Sequence, residues 1–302
     1  MTTAREIVRW GQEPLAFELA TSDAALAARA RTVFAPWPAP VGREPAARFE
    51  VSRVADDDPV APRGANERGS AWQARVCDGD ARSSTVTADE ALRWVELKAV
   101  QSFVPRHDGA LALHGALADV EGRALLIIGP PNAGKSSLAC ALWRSGAALL
   151  SDDVALVDLE TGAARPGPRR VALRHASRSL MGDELWQRIV TAGASAPTDE
   201  GWCFHPGEID GRPPPRTTRV GAVIFLERRT RAEIPPAAIA RIAPAHAVLA
   251  WIPYVVAQRS LDAGEAIRRI APLAERVPAY DLARGPLAQM VANARLALDG
   301  DC

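Results

Sequence analysis

Lysine is almost missing from this chain. Of 36 basic residues only Lys98 and Lys135 are lysines, and arginine fills every other cationic position. Net charge is missing too, because 36 acidic residues balance the basic ones. The arginines are dispersed, so composition offers no basic surface for nucleic acid or an acidic membrane. No continuous apolar stretch approaches the roughly 18 residues of a membrane span. The polar opening, Met-Thr-Thr-Ala-Arg-Glu, lacks the character of a secretory signal. The expected location is therefore the cytoplasm, with no membrane and no nucleic-acid partner. Cysteine is scarce: Cys77, Cys140, Cys203 and Cys302 lie far apart with no Cys-x-x-Cys pair, which disfavours a zinc site or a disulfide framework. Cys140 is expected to be a small core residue in a helix. Internal repeats are lacking as well. What remains is 302 residues, 48% hydrophobic and 24% charged, enough for two domains and at least one sizeable core.

Against that scarcity, Lys135 stands in a motif. Residues Gly129, Pro130, Pro131, Asn132, Ala133, Gly134, Lys135, Ser136 and Ser137 form a Gly-x-x-x-x-Gly-Lys-Ser loop. Such a loop wraps backbone N–H groups around nucleotide phosphates, its lysine reaches the outer phosphates, and its serine ligates magnesium. In a chain that uses arginine almost everywhere, a lysine here points to a need for a compact ammonium rather than a planar guanidinium. An ordinary glycine turn is the competing reading. The flanks disfavour it, since the motif requires a strand before it and a helix after it.

The flanks supply both. Ala110 to Val120 and Arg123 to Ile128 read as apolar strands joined by Glu121-Gly122, a two-residue hairpin turn. Leu138, Ala141, Leu142 and Ser145 are spaced for a helix, with Gly146 at its left-handed C-terminal cap. Ala147 to Leu150 reads as the next strand, so a right-handed crossover predicts two parallel strands in one sheet. Ligands bind beyond the carboxyl ends of such strands, which puts Ser151-Asp152-Asp153 at the edge that carries the loop.

Before this unit, Leu15 to Ala20 reads as a strand. A helix follows over Ala24 to Phe34, capped at Ser22-Asp23 and ended by the proline-rich Ala35 to Pro45. Arg48 to Val54 and Trp72 to Cys77 read as strands flanking a polar loop. Thr87 and Glu90 form a capping box for a helix with Leu92, Val95, Val100 and Phe103 on one side, closed by Pro105. Residues 1–106 thus read as a small α+β module without a catalytic pattern, and 107–302 as the catalytic domain, divided at Arg106 to Gly109. Farther on, Gly162 to Pro168 reads as a turn-rich link, Gly201 to Pro215 as a Pro/Gly-rich loop and Val220 to Leu226 as a buried strand. Pro235-Pro236 opens a mixed segment, and Asp262 to Leu273 and Pro286 to Leu298 read as helices.

Only 18 positions separate Lys135 from Asp153, so a single crossover unit can supply both phosphate cradle and carboxylates. Near a metal nucleotide, one carboxylate can hold magnesium or its water while the other accepts a proton from an attacking hydroxyl. Adjacent residues of an extended chain face opposite ways, so both can serve only if Ser151 to Val154 turns; a solvated turn is the plain alternative. His114, on the hairpin strand, is open to two readings: it orients phosphate or tunes the aspartates, or it is a hydrogen-bonded core histidine. His205, Glu208 and Asp210 lie in the Pro/Gly-rich loop, either a substrate lid or a surface connection. Arg228 and Arg229 either reach transferring phosphate or are solvated.

Leu113-His114-Gly115-Ala116-Leu117, Gly129 to Ser136 and Leu150-Ser151-Asp152-Asp153-Val154 together resemble the catalytic domain of bacterial HPr serine kinase/phosphorylase and its related kinases. The resemblance covers Ala110 to Leu159 and extends loosely to Glu227. It implies an α/β P-loop kinase domain with a central mixed sheet, preceded by the small α+β module. It also implies ATP and Mg2+ as cofactors, with Lys135 and Ser136 at the nucleotide, Ser136 and Asp152 at the metal, Asp153 as base and His114 in the active site. The implied activity is transfer of the γ-phosphate to a hydroxyl, serine above all, of a small protein or peptide, ribosomally made natural-product peptides included. Two departures stand out. Pro131-Asn132 replaces the family's Ser-Gly, a change that asparagine's tolerance of left-handed backbone allows. A Glu-Ile-Arg-Gly-like segment, which in the family supplies a metal ligand and supports phosphorolysis, has no counterpart here. A nucleotide-binding switch or scaffold without transfer is the rival reading. The N-terminal module is assigned either peptide recognition or a dimer contact that would make a homo-oligomer.

Overall fold

The computed structural model describes residues 5–12, 15–54, 71–77, 79–103, 109–167, 169–212, 217–226, 238–256 and 263–300. They form a mixed α/β structure. The boundary expected near Arg106, Arg228, Arg229, Pro235-Pro236, Pro105 and the polar segment 55–70 lie outside the described residues.

The N-terminal part is a five-stranded sheet backed by helices. Strands β1 (Glu6–Gln12), β2 (Leu15–Thr21), β3 (Pro45–Val54), β4 (Ala71–Val76) and β5 (Arg82–Thr85) pair in that order, with β2 and β3 parallel. Helix α1 (Ala24–Phe34) starts where Asp23 accepts from the Leu26 N–H at 2.8 Å. Helix α2 (Ala88–Phe103) starts at a reciprocal box: Thr87 Oγ1 accepts from Glu90 N–H, and Glu90 Oε2 accepts from Thr87 N–H. The predicted caps are thus both present. Trp10 stacks on Phe34 with ring centroids 4.1 Å apart, and Phe17, Phe49, Leu92 and Val95 fill the same core. Strands β1 and β5 were not expected from the sequence. Arg-Ser-Ser-Thr in β5 has no apolar alternation and pairs because β4 presents an edge.

The second sheet holds the loop. It contains β6 (Ala110–Val120), β7 (Arg123–Ile128), β8 (Ala148–Ser151), β9 (Val154–Asp158), β10 (Ala163–Pro166), β14 (Thr218–Leu226), β15 (Ile239–Ile242) and β16 (Ala279–Leu282). The hairpin turn is as expected, with Glu121 and Gly122 both at positive φ. Period-two alternation divides its strands: Leu125 and Ile127 face one core, Leu126 and Ile128 the other. Helices α3 (Lys135–Arg144) and α9 (Leu287–Asp299) cover the first face; α7 (Pro244–Trp251) and α8 (Ala263–Arg276) cover the second. Cys140 is buried in α3, and burial pushes its thiol pKa up.

Several expectations change. β7 and β8 run the same way, but β6 lies between them and is antiparallel to both; the parallel neighbour of β7 is β14. The acid pair follows the end of β8 as a bend, the turn that lets both carboxylates serve, and β9 resumes pairing with β6: Leu117 lies opposite Ser151 and His114 opposite Val154, while the register of β8 shifts between Leu117 and Ala118. Gly162 to Pro166 is a left-handed turn followed by strand β10, not merely a link, because β9 and β14 both offer it an edge. Likewise Gly201 to Asp210 is not a loop. It contains β13 (Gly201–Phe204) and α6 (Pro206–Asp210), with β13 between β11 (Val171–Arg174) and β12 (Ala196–Pro197) in a third sheet. Between β11 and β12 lie α4 (Arg178–Met181) and α5 (Asp183–Thr191). Among the described residues, no helix is long and apolar enough to cross a membrane.

One buried ion pair ties the two parts together. Arg170 and Glu96 have side chains only 1% and 4% exposed. Arg170 Nε and Nη2 donate to the two Glu96 oxygens at 3.0–3.2 Å, its backbone N–H donates to Oε1 at 3.0 Å, and Nη1 reaches Ala194 O at 2.9 Å. Burial pushes the Glu96 carboxyl up, but the charge and hydrogen bonds of Arg170 outweigh it and hold the carboxyl below its ordinary range. Glu96→Ala should cost about 3–5 kcal/mol by stranding the guanidinium, read as the shift in urea midpoint. Because the folded pKa is depressed, the pair's contribution is full above the unfolded value of about 4.3. It is lost as pH falls through the folded value, and the variant should lose that part of the wild type's acid sensitivity.

Candidate functional site

Strand register decides which groups meet. Gly115 faces Ile128 of β7 on one side and donates its N–H to Asp153 O at 2.8 Å on the other. Two inter-strand spacings, about 9–10 Å, therefore separate the end of β7 from Asp153. The loop leaves β7 at Gly129, where a Cβ would come within 3.0 Å of Leu226 O and 3.1 Å of Ala133 Cβ. Asn132 and Gly134 take positive φ, 65° and 100°, so the left-handed turn expected of Asn132 is made. Helix α3 begins at Lys135 without a side-chain cap, leaving the unpaired N–H groups of a first turn as an anion cradle. Lys135 Nζ donates to Gly129 O at 2.8 Å and Pro130 O at 3.1 Å. Burial lowers its pKa, an effect opposed by Asp153.

The bend that separates the aspartates comes from Ser151. Its hydroxyl donates to Val154 O at 2.8 Å and accepts from the N–H groups of Asp153 and Val154 at 3.3 and 3.2 Å. The local backbone is thereby satisfied without continuous pairing. Both carboxylates line one cleft, but their surroundings differ. Asp153 Oδ1 lies 2.8 Å from His114 Nδ1, and Oδ2 pairs with Arg169. Burial pushes Asp153 up, yet the His114 hydrogen bond, then the charges of Arg169, His114 and Lys135, bring it below its ordinary value. Asp152 accepts from the Ala172 N–H at 3.1 Å and pairs with no cation among the described residues. Burial, helped by Asp153 and opposed by Arg169, pushes its carboxyl up to about 6. Neighbouring carboxylates thus have their pKa values pushed in opposite directions, the pattern of divided roles.

The cleft measures about 640 Å³ and includes His114, Asn132, Lys135, Ser136, Asp152 and Asp153 in its lining, a volume suited to a nucleotide-sized ligand. His114, Lys135, Ser136, Asp152 and Asp153 therefore converge here, with Pro131, Asn132, Gly134 and Ser137 of the loop, whereas Gly129, Pro130 and Ala133 are not in the lining. Ser136 Oγ and the Asp152 carboxylate offer hard oxygen donors suited to Mg2+. No cluster of three or more His, Cys, Asp or Glu among the described residues could hold a metal alone.

His205, Glu208 and Asp210 do not join them. His205 is buried with Nε2 2.7 Å from Val33 O, Glu208 accepts from the Ala194 N–H, and Asp210 accepts from Trp143 Nε1 at 3.0 Å. They are structural, neither lid nor surface connection. Nothing in the sequence singles out three arginines that hold the acid pair and the loop. Arg169 holds Asp153, Arg174 donates to Asn132 Oδ1 at 2.8 Å, and Arg284, beyond β16, donates to the carbonyls of Asn132 and Ala133. In a chain so rich in arginine nothing local marks these three; Arg169-Arg170 is a doublet, but so are Arg228-Arg229 and Arg268-Arg269.

No family model matches the chain, and no curated protein matches it. Among solved structures it is similar to the HPr(Ser) kinase/phosphatase from Coxiella burnetii, over 63% of this chain and 99% of that one, at 16% identity and a TM-score of 0.31. Likeness of that grade carries no conclusion about fold or chemistry.

Asp152 generates a stability prediction. Its folded pKa of about 6 lies above the ordinary 3.8, so the native state binds more protons and stability falls as pH rises between the two. With metal chelated, Asp152→Asn should raise stability by about 1–2 kcal/mol at pH 7.5 and leave it unchanged at pH 3.5. Paired denaturation curves at the two pH values check it.

Proposed function

We propose that the chain is a P-loop kinase of the HPr kinase type, an ATP- and Mg2+-dependent enzyme that transfers the γ-phosphate to a hydroxyl, most readily serine, of a small protein or peptide. One observation carries the reading: Asp153, fixed by His114 and Arg169, opens onto the same cleft as Lys135 and Ser136. A P-loop alone serves many NTPases. A second, ionised carboxylate beside it, oriented on both oxygens, suits deprotonation of an acceptor.

In this reading the backbone N–H groups of Asn132 to Ser137, at the loop and the start of α3, hold the phosphates. Lys135 exchanges the carbonyls of Gly129 and Pro130 for phosphate oxygens and offsets their charge. Ser136 and Asp152 would hold Mg2+, which when bound neutralises phosphate charge; Asp152 binds it as the carboxylate, so its share of the site weakens as pH falls toward about 6. The acceptor hydroxyl oxygen attacks the γ-phosphorus as the bond to the β–γ bridging oxygen breaks. ADP departs, and the hydroxyl proton passes to Asp153. A depressed pKa suits Asp153 here, because phosphoryl transfer through a loose transition state needs an ionised, positioned acceptor more than a strong base. His114 keeps that carboxylate aimed. The 1–106 module is assigned acceptor recognition.

Asp153→Asn should leave MgATP affinity within about threefold of wild type and lower transfer to a serine-peptide pool by about 10²–10⁴-fold. Calorimetry and labelled ATP measure the two. Undiminished transfer in the variant would remove Asp153 as base, while wild-type binding without transfer to any acceptor would favour the nucleotide switch.

A further inference from the structure

The cleft does not stop at Asp153. A second hollow of about 470 Å³ adjoins it, and Arg93 and Asp153 line both. One wall is α2, where Glu90, Arg93, Trp94 and Leu97 recur at i, i+3, i+4 and i+7, a single stripe of a helix. The stripe Leu92, Val95 and Ala99 of that helix is buried in the core. Facing α2 are Ser83 and Thr85 of β5, the last strand of its sheet, whose outer edge pairs with no strand among the described residues.

The charges of this hollow are committed, with one exception. Glu96 holds Arg170, Asp153 holds Arg169, and Glu90 Oε2 is occupied by the N–H groups of Val86 and Thr87. Arg93 is exposed and forms no ion pair with any described residue. Beside it lie the half-buried Trp94 ring and Leu97, 42% exposed. One free cation, an apolar patch and a strand edge, in a channel ending at a carboxylate, define an extended ligand rather than a compact one.

We propose that this groove is the acceptor channel. It takes an extended peptide segment that runs along the outer edge of β5, sets an apolar side chain on Trp94 and Leu97 and an acidic side chain on Arg93, and brings a hydroxyl to Asp153. The inference rests on the kinase reading for that hydroxyl's fate, but peptide binding stands or falls by itself.

The test is selection of a displayed random peptide library on the full chain with MgATP present, followed by binding and labelled-ATP transfer measurements on the enriched peptides. Enrichment for a hydroxyl residue with one acidic and one apolar neighbour is expected. Trp94→Ala and Leu97→Asp should weaken binding of those peptides by about tenfold or more and leave MgATP affinity unchanged. Arg93→Glu should turn the acidic preference into a basic one. No enrichment over blank beads, equal binding by the Trp94 and Leu97 variants, or an Arg93→Glu protein that loses MgATP affinity while selecting the same peptides would each overturn the proposal. Peptides that bind in the groove but accept no phosphate would uphold it and sink the kinase reading instead.

Discussion

Much of the geometry hangs on the Glu96–Arg170 pair. Two charges withdrawn from water are tolerable only when their hydrogen-bonding capacity is met in fixed directions, and here two carboxylate oxygens, a guanidinium, a backbone N–H and the Ala194 carbonyl meet it together. That fixes α2 against the segment leading into β11. The consequence reaches the site by one covalent step, because the preceding residue, Arg169, holds Asp153. The N-terminal helix thus sets the position of the acid to which the catalytic reading assigns proton transfer.

The same pair sets the groove. Glu96 faces inward from α2, which leaves Arg93, Trp94 and Leu97 on the side that looks across to β5. Apolar packing continues the contact: Ala112, Val154 and Leu156 of the loop-bearing sheet share a core with Trp10, Phe49 and Leu92. The site is therefore walled by α2 of the N-terminal part as well as by the loop-bearing part, and Arg29 adds to the join by pairing with Asp89 while donating to the carbonyls of Gly193 and Ser195.

Within the cleft, electrostatics divide two residues that sequence makes equivalent. Asp152 and Asp153 are neighbours, but the Ser151 bend gives Asp153 a histidine and an arginine and Asp152 the backbone N–H of Ala172. Their pKa values move in opposite directions in consequence. The scarcity of lysine gains its meaning here: Lys135 provides a point charge that can leave two carbonyls for phosphate, whereas arginines provide the clamps on Asp153, Asn132 and the loop's backbone.

What the sequence determined by itself is what depends on near neighbours. The loop, the Glu121-Gly122 hairpin, the caps at Asp23 and Thr87 and the apolar stripe of α2 rest on contacts within a few residues, so residue type and spacing sufficed. Tertiary structure decided the rest. It inserted β6 between β7 and β8, turned Gly201 to Asp210 into a strand and a helix, made His205, Glu208 and Asp210 structural, and selected Arg169, Arg170, Arg174 and Arg284 from a crowd of arginines. Each depends on a partner many positions away, such as Glu96 for Arg170 or Asn132 for Arg284. No local pattern encodes such partners. They follow from strand order and burial, which make an unpaired charge costly and so choose which charges must meet.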